Sequence, residues 1–213
     1  AFSHATIAFN HFQAHNKVML IGTLTCYVRP DAEGCAQPLA HLNDDTMRPW
    51  VRISMVGNYF DGTSQRQPKV VSNAYVQSVN NLIVMEPTVY PDGKPSATYG
   101  VAAATGGIAD VRGDIIVNPA QDLRLGAGSI TLTHRMGGST READGAVRVE
   151  DTVLYGPLLA EPFRADLVGQ MHGAKVPALP AATHPEALAA CVMKLAGTAG
   201  AGHQWIRDCG LSQ

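Results

Sequence analysis

Short runs of alternating apolar and polar residues, separated by turns that contain glycine, proline or asparagine, recur along most of this 213-residue chain. Successive side chains of an extended strand point to opposite faces, so such alternation predicts β-strands. The pattern is clearest in six segments, residues 18–28, 50–56, 69–79, 82–89, 129–135 and 147–155. Many short strands joined by turns favour a barrel or a sandwich, and we expect an all-β domain with little helix.

The segments differ in how their apolar residues are placed. Residues 18–28 carry them on both faces, which is typical of a central strand, and Gly22 predicts a bend of the kind that barrels use. Residues 57–68 are polar and contain the turn signal Asp61-Gly62, so they are predicted to form a loop. No internal repeat is evident, and we expect an OB-like or related barrel with extra strands and long loops.

The end of the chain changes in composition. Residues 176–182 contain two prolines and three alanines and are predicted to be a linker. Thr183 and Glu186 then form a capping-box pattern at the start of a helix. An apolar stripe at helical spacing follows, made of Leu188, Cys191, Val192 and Leu195. The sequence thus predicts a β-barrel domain in residues 1–175 and a linker with a short helical tail in residues 176–213, the stripe being buried against the barrel or a partner subunit.

Charge and hydropathy exclude several classes. Charged residues make up 16% of the chain, below the roughly 25% of an average domain, which argues against disorder. No apolar run reaches the roughly 18 residues of a membrane span, so no membrane partner is expected. The N-terminus lacks the pattern of a signal peptide and the chain has no Asn-x-Ser/Thr site, which favours an intracellular location.

The four cysteines allow two disulfides in three connectivities, or none. They are Cys26, Cys35, Cys191 and Cys209. No Cys-x-x-Cys pair is present, so their spacing does not indicate a metal site. Buried free thiols are the favoured interpretation.

Histidines are concentrated at the N-terminus, where His4, His11 and His15 lie among phenylalanines. His11 and His15 have the spacing of two metal ligands on one face of a helix. The local pattern is not helical and a third ligand does not follow, so surface or interface histidines are the better interpretation. We expect no metal and no cofactor.

Motifs of common enzymes do not occur in the sequence. It contains no Gly-x-Ser-x-Gly, no phosphate-binding loop and no dinucleotide fingerprint after a strand, and the chain is therefore predicted not to be an enzyme. Arg112-Gly113-Asp114 matches a tripeptide that adhesion receptors recognise, but a tight turn entering a strand explains it more simply.

Two strand segments point to a family. Residues 16–24, Asn-Lys-Val-Met-Leu-Ile-Gly-Thr-Leu, resemble the first strand of bacterial-type single-stranded DNA-binding proteins. Residues 50–57, Trp-Val-Arg-Ile-Ser-Met-Val-Gly, are similar to that family's Trp-His-Arg strand without its histidine. The resemblance covers residues 16–57 and implies an OB-fold that binds single-stranded nucleic acid. The chain after Val79 has no counterpart in the family, and the family's acidic C-terminal tip is absent.

Cations and aromatic residues cluster in the second of these segments and beyond it. Single-strand binding needs a basic groove and exposed aromatic rings, each stacked base contributing roughly 1–3 kcal/mol. The candidate binding residues are Arg48, Trp50, Arg52, Tyr59, Phe60, Arg66 and Lys69. In the alternative interpretation Trp50 and Phe60 belong to the core and the arginines to its solvated rim.

Two functions follow from these patterns. The first is a non-catalytic module that binds single-stranded nucleic acid, although the net charge of −2 shows no basic excess. The second is a structural, assembly or interaction β-domain of a virion or secreted protein with no nucleic-acid role. In either case a homo-oligomer or a larger assembly is expected.

Overall fold

The structure is a computed structural model, and it places a set of separate stretches of the chain. The described residues are 3–22, 51–71, 74–86, 88–93, 98–104, 107–118, 130–131, 146–155, 163–164 and 185–197.

Fifteen strands and one helix lie within these stretches. The strands are β1 (Ser3–Ala8), β2 (His11–Gln13), β3 (Leu20–Ile21), β4 (Val51–Val56), β5 (Tyr59–Thr63), β6 (Lys69–Val71), β7 (Ala74–Val79), β8 (Leu82–Met85), β9 (Ala102–Ala104), β10 (Ile108–Arg112), β11 (Ile115–Val117), β12 (Ile130–Thr131), β13 (Ala146–Glu150), β14 (Val153–Tyr155) and β15 (Phe163–Arg164). The helix is α1 (Pro185–Leu195).

The strands form three sheets, and neighbouring strands in a sheet are far apart in sequence. Sheet A has the order β1-β4-β7-β10-β13, sheet B the order β15-β14-β11-β8-β5-β2, and sheet C the order β12-β9-β6-β3. All pairings are parallel except those of β12 with β9 and of β15 with β14. The chain therefore winds through sheets A, B and C in turn, and each coil stacks on the one before it. This is a parallel β-helix, a solenoid in which each repeat contacts its neighbours.

This architecture corrects the predicted OB-like barrel. Strands were expected where alternation is clearest, and β4 and β8 lie there. The segments 69–79 and 147–155 each contain two strands on different sheets, and the predicted loop 57–68 contains β5. A strand of this fold pairs with the next coil rather than with its neighbour in sequence, and alternation carries no information about that partner. The residues 23–28 of the first segment and 132–135 lie outside the described part.

Two-residue corners join sheet A to sheet B in every coil. The first corner residue has a positive φ of 49–61°, and these residues are Phe9, Gly57, Asn80, Gly113 and Asp151. The left-handed conformation costs least for Gly, Asn and Asp, which fill four of the five positions. Gly113 and Asp114 of the tripeptide Arg112-Gly113-Asp114 form one of these corners. The tripeptide is therefore part of a tight turn entering a strand, as predicted from the sequence.

The second corner residues Asn10, Asn58, Asn81 and Asp114 form a hydrogen-bonded ladder along the stack, and all but Asn10 are buried. Asn10 Nδ2 donates to Asn58 Oδ1 at 3.1 Å, Asn58 Nδ2 to Asn81 Oδ1 at 2.8 Å, and Asn81 Nδ2 to Asp114 Oδ1 at 3.1 Å. Buried polar groups are tolerated when they are hydrogen-bonded, and here each coil supplies a partner for the next. The ladder therefore fixes the register between coils.

The core lies inside the coils, between the three sheets. Met55, Phe60, Val76 and Ile83 are buried there, and the ring of Phe12 stacks on that of Phe60 at 4.8 Å between centroids. This separation equals the spacing of paired strands, so equivalent side chains of successive coils stack on one another.

Helix α1 covers the outer face of sheet B. Leu188, Val192 and Leu195 are buried and pack with Leu82 and Ile115. The predicted burial of Leu188, Val192 and Leu195 is confirmed, against an open sheet instead of a barrel. No helix in the described stretches is long and apolar enough to cross a membrane.

The cysteine on this helix, Cys191, is disulfide-bonded. The interpretation of the cysteines as free thiols is therefore wrong for Cys191.

Candidate functional site

The residues predicted to bind nucleic acid are spread over all three sheets. Arg48 and Trp50 lie outside the described residues. Arg52 is on the outer face of sheet A, while Tyr59 is on the outer face of sheet B. Phe60 is wholly buried in the core, as the alternative interpretation expected, and Lys69 in sheet C is 1% exposed. Arg66 lies between β5 and β6 with a φ of 66°.

The outer face of sheet A carries a concentration of polar and charged residues. Val76 on β7, Val111 on β10 and Val149 on β13 point into the core. The residues directly before and after each of them on the same strand therefore point outward. The parallel register aligns the outward residues in rows, with Gln77 beside Asp110 and Asp110 beside Arg148. The next row places Arg112 beside Glu150.

Five of these side chains are linked by hydrogen bonds and ion pairs, and we call them the sheet A network: Tyr75, Asp110, Arg112, Arg148 and Glu150. The Tyr75 hydroxyl donates to Asp110 Oδ2 at 3.0 Å. Nε and Nη2 of Arg112 donate hydrogen bonds to the two oxygens of the same carboxylate at 2.8–3.1 Å. Arg148 Nη2 donates to Glu150 Oε2 at 3.0 Å, and Arg112 Nη1 lies 3.6 Å from that oxygen. A two-pronged contact between arginine and carboxylate fixes the guanidinium plane as well as its position.

The network is buried at one end and accessible at the other. Tyr75 and Asp110 are 2% and 1% exposed, whereas the side chains of Arg148 and Glu150 are 34% and 45% exposed. Asp110 therefore orients Arg112, and Arg148 and Glu150 are the most accessible side chains of the network.

Electrostatics keeps Tyr75 and Arg112 in fixed protonation states. Burial, together with the nearby Asp110 carboxylate, raises the pKa of the Tyr75 phenol, so it remains a neutral donor. The hydrogen bond to Asp110 raises the pKa of Arg112, so its cation persists. The network thus holds two guanidinium groups, each paired with a carboxylate of the network.

A second polar cluster lies on the outer face of sheet B. His11 Nε2 is 3.3 Å from Asp61 Oδ2, and the His11 ring stacks on Tyr59 at 4.7 Å. Burial, followed by the charge and hydrogen bond of Asp61, raises the pKa of Tyr59. Within the described stretches, no three His, Cys, Asp or Glu side chains lie close enough to hold a metal ion.

The sheet A network was missed at the level of sequence. Its signal is the pair of patterns Asp-x-Arg and Arg-x-Glu, at 110–112 and 148–150, each directly before a corner. Residues two apart share one face of a strand, so both patterns place charges on the same outer surface. Recognising them required the corners to be recognised first.

Comparisons with known proteins support the fold. No protein-family model matches the sequence, and no curated protein matches it significantly. A solved structure of a pectate lyase variant from Xanthomonas campestris aligns with 98% of the chain and 50% of its own length, with a TM-score of 0.53 and 17% identity. The thermostable pectate lyase PL 47 aligns with 90% of the chain and 41% of its own length, with a TM-score of 0.50 and 18% identity.

These neighbours correct the predicted function together with the predicted fold. Both are named as enzymes, and neither is a nucleic-acid-binding module. At such low identity the likeness shows the fold alone. The chain spans about half of the length of the neighbours it matches.

Proposed function

We propose that the chain forms part of an enzyme that acts on an acidic polysaccharide, which it binds across the outer face of sheet A. The observation that carries this proposal is the sheet A network, in which Arg112 and Arg148 stand on adjacent parallel strands. The pectate lyase neighbours supply the enzyme class and the substrate class.

The geometry suits a polymer that carries a carboxylate on each sugar. Paired strands are about 4.8 Å apart, and Arg112 and Arg148 stand on paired strands in neighbouring rows, each beside a carboxylate of the other strand. Arginine matches a carboxylate better than lysine does because its donors form a planar fork. Asp110 holds Arg112 in place before a ligand arrives, which lowers the entropic cost of binding.

Each network residue has a role in this proposal. Arg148, at the accessible rim, contacts the sugar carboxylate, and Glu150 positions Arg148 through a hydrogen bond along β13. Arg112 adds a second guanidinium group on the neighbouring strand β10, and Asp110, which accepts from Tyr75, fixes its position.

Affinity electrophoresis tests the proposal with pectate, a polygalacturonate, in the gel. We expect the protein to be retarded by pectate and not by a neutral polysaccharide, and to form unsaturated products that absorb ultraviolet light. Arg148→Gln should weaken binding by about twofold to fivefold, the range of an exposed ion pair. Lys194→Gln, an exposed cation on α1, is the matched control and should bind as the wild type does.

Two results together would reject the function. One is equal mobility in pectate and neutral gels, and the other is the absence of unsaturated product. Retardation that Arg148→Gln leaves unchanged would keep the substrate and reject sheet A as its site.

A further inference from the structure

Arg52 differs from the two arginines of the sheet A network. Arg112 and Arg148 are each bound to a carboxylate of the network, which largely neutralises their charge. Arg52 lies on the outer face of the same sheet, where its register partners on the adjacent strands are His4 and Tyr75, and neither of them is acidic. Among the described residues, no side chain forms an ion pair or a hydrogen bond with the Arg52 guanidinium. Its positive charge is therefore uncompensated.

Hydroxyl groups lie in the row next to that of Arg52. Ser54 is two residues further along β4, so its side chain faces the same side of the sheet. Its register partner on β1 is Thr6. Thr6 is exposed and Ser54 is half-buried, and in the stretches that the structure describes neither hydroxyl has a hydrogen-bond partner. One guanidinium and two unpaired hydroxyls thus share one face of two adjacent strands.

The backbone beneath Arg52 is held on both sides. Strand β4 pairs with β1 on one side and with β7 on the other, in continuous register over its whole length. The Arg52 side chain is half-buried, so part of it remains in contact with solvent. A fixed backbone limits the region that the guanidinium can occupy above the sheet, which lowers the entropic cost of binding a ligand there.

A carboxylate ligand meets less competition at Arg52 than at Arg148. At Arg148 it competes with Glu150, which already accepts a hydrogen bond from Nη2. At Arg52 it replaces water alone, and hydrogen bonds to charged groups are stronger than those between neutral groups. Arginine also offers a carboxylate two parallel donors. Arg52 is therefore better suited than Arg148 to distinguish a charged sugar from a neutral one.

We propose that Arg52 determines the preference for acidic over neutral sugars, by binding the carboxylate of one sugar while Ser54 and Thr6 bind hydroxyl groups beside it. This inference rests on the proposed function and names the residue that selects the substrate's charge. Strands β4 and β13 are separated by β7 and β10, so Arg52 and Arg148 stand on strands about 14 Å apart. The two arginines therefore contact different sugars of one polymer.

The test varies the charge of the polysaccharide and keeps its sugar backbone. Pectin with few methyl esters carries many free carboxylates, and pectin with many methyl esters carries few. Affinity electrophoresis in gels of each pectin gives a dissociation constant for each. We expect Arg52→Gln to weaken binding of the low-ester pectin about tenfold, the effect of one hydrogen bond to a charged group, and to leave binding of the high-ester pectin nearly unchanged. Arg148→Gln should have the smaller effect, because Glu150 already neutralises Arg148.

Two further variants separate recognition of charge from a change in folding. Arg52→Lys keeps the charge without the planar fork and should recover part of the preference for low-ester pectin. Lys194→Gln, which removes an exposed cation of α1, should behave as the wild type does. If Arg52→Gln keeps the wild-type preference while Arg148→Gln lowers it, the inference is overturned and the proposed function stands. If the wild type binds neither pectin, the proposed function fails and the inference fails with it.

Discussion

Asp114 is the one acidic side chain in the corner ladder, and it is wholly buried. Burial raises its pKa to about 7, although hydrogen bonds from Ser78 and Asn81 act in the opposite direction. An aspartic acid in the unfolded chain loses its proton near pH 3.8. Between these two values the folded protein holds a proton that the unfolded chain has lost. Asp114 therefore favours folding most in acid, and this contribution is lost as the pH rises toward 7.

Asp114→Asn should remove this dependence. An asparagine can accept from Asn81 with its oxygen and donate to Ser78 with its amide, so the ladder is kept. We expect the stability of the wild type relative to the variant to fall by on the order of a few kcal/mol between pH 4 and pH 7. Thermal unfolding of both proteins across this range measures it, and parallel pH profiles would contradict a raised pKa.

At the scale of elements, helix α1 depends on sheet B. An isolated helix of this length is marginal in water, and its apolar stripe is buried against Leu82 and Ile115. Leu188 is 1% exposed, so Leu188→Ala should cost about 2–5 kcal/mol. Met193→Ala, on the exposed side of the same helix, should change little. Urea unfolding compares the two, and equal losses of stability would show that the stripe does not anchor the helix.

Local sequence predicted individual elements and not their arrangement. The alternation of Val51, Ile53 and Met55 predicted β4, and the capping box with its apolar stripe predicted α1. In the segment 147–155 apolar residues continue beyond the corner because Val153 is the register partner of Ile115, which packs with α1. Two strands on different sheets therefore looked like one.

The corners do carry a signal that was available in the sequence. Gly-Asn-Tyr-Phe, Asn-Asn-Leu-Ile, Gly-Asp-Ile-Ile and Asp-Thr-Val-Leu each begin with a left-handed residue, continue with a buried polar residue and lead into a strand of sheet B. The intervals between them are uneven because loops of different length leave the other corners, so a search at one fixed period does not find them. The sheet A network could not be found without this repeat, since its members are brought together only by stacking.

At the scale of the whole molecule, stacking converts local patterns into surfaces. A strand residue lies beside its register partner in the next coil, and these partners form a row that crosses the sheet. Residues two apart on one strand face the same side, so each face of a sheet carries several such rows. On sheet A these rows assemble the network of Tyr75, Asp110, Arg112, Arg148 and Glu150.

A crystal structure of the protein with a bound pectate oligosaccharide tests the central claim most directly. We predict three sheets of parallel strands, with the oligosaccharide lying across β10 and β13 and a sugar carboxylate in contact with the Arg148 guanidinium. A barrel of antiparallel strands would contradict the fold. An oligosaccharide bound away from the outer face of sheet A, with Arg148 still paired only to Glu150, would contradict the site.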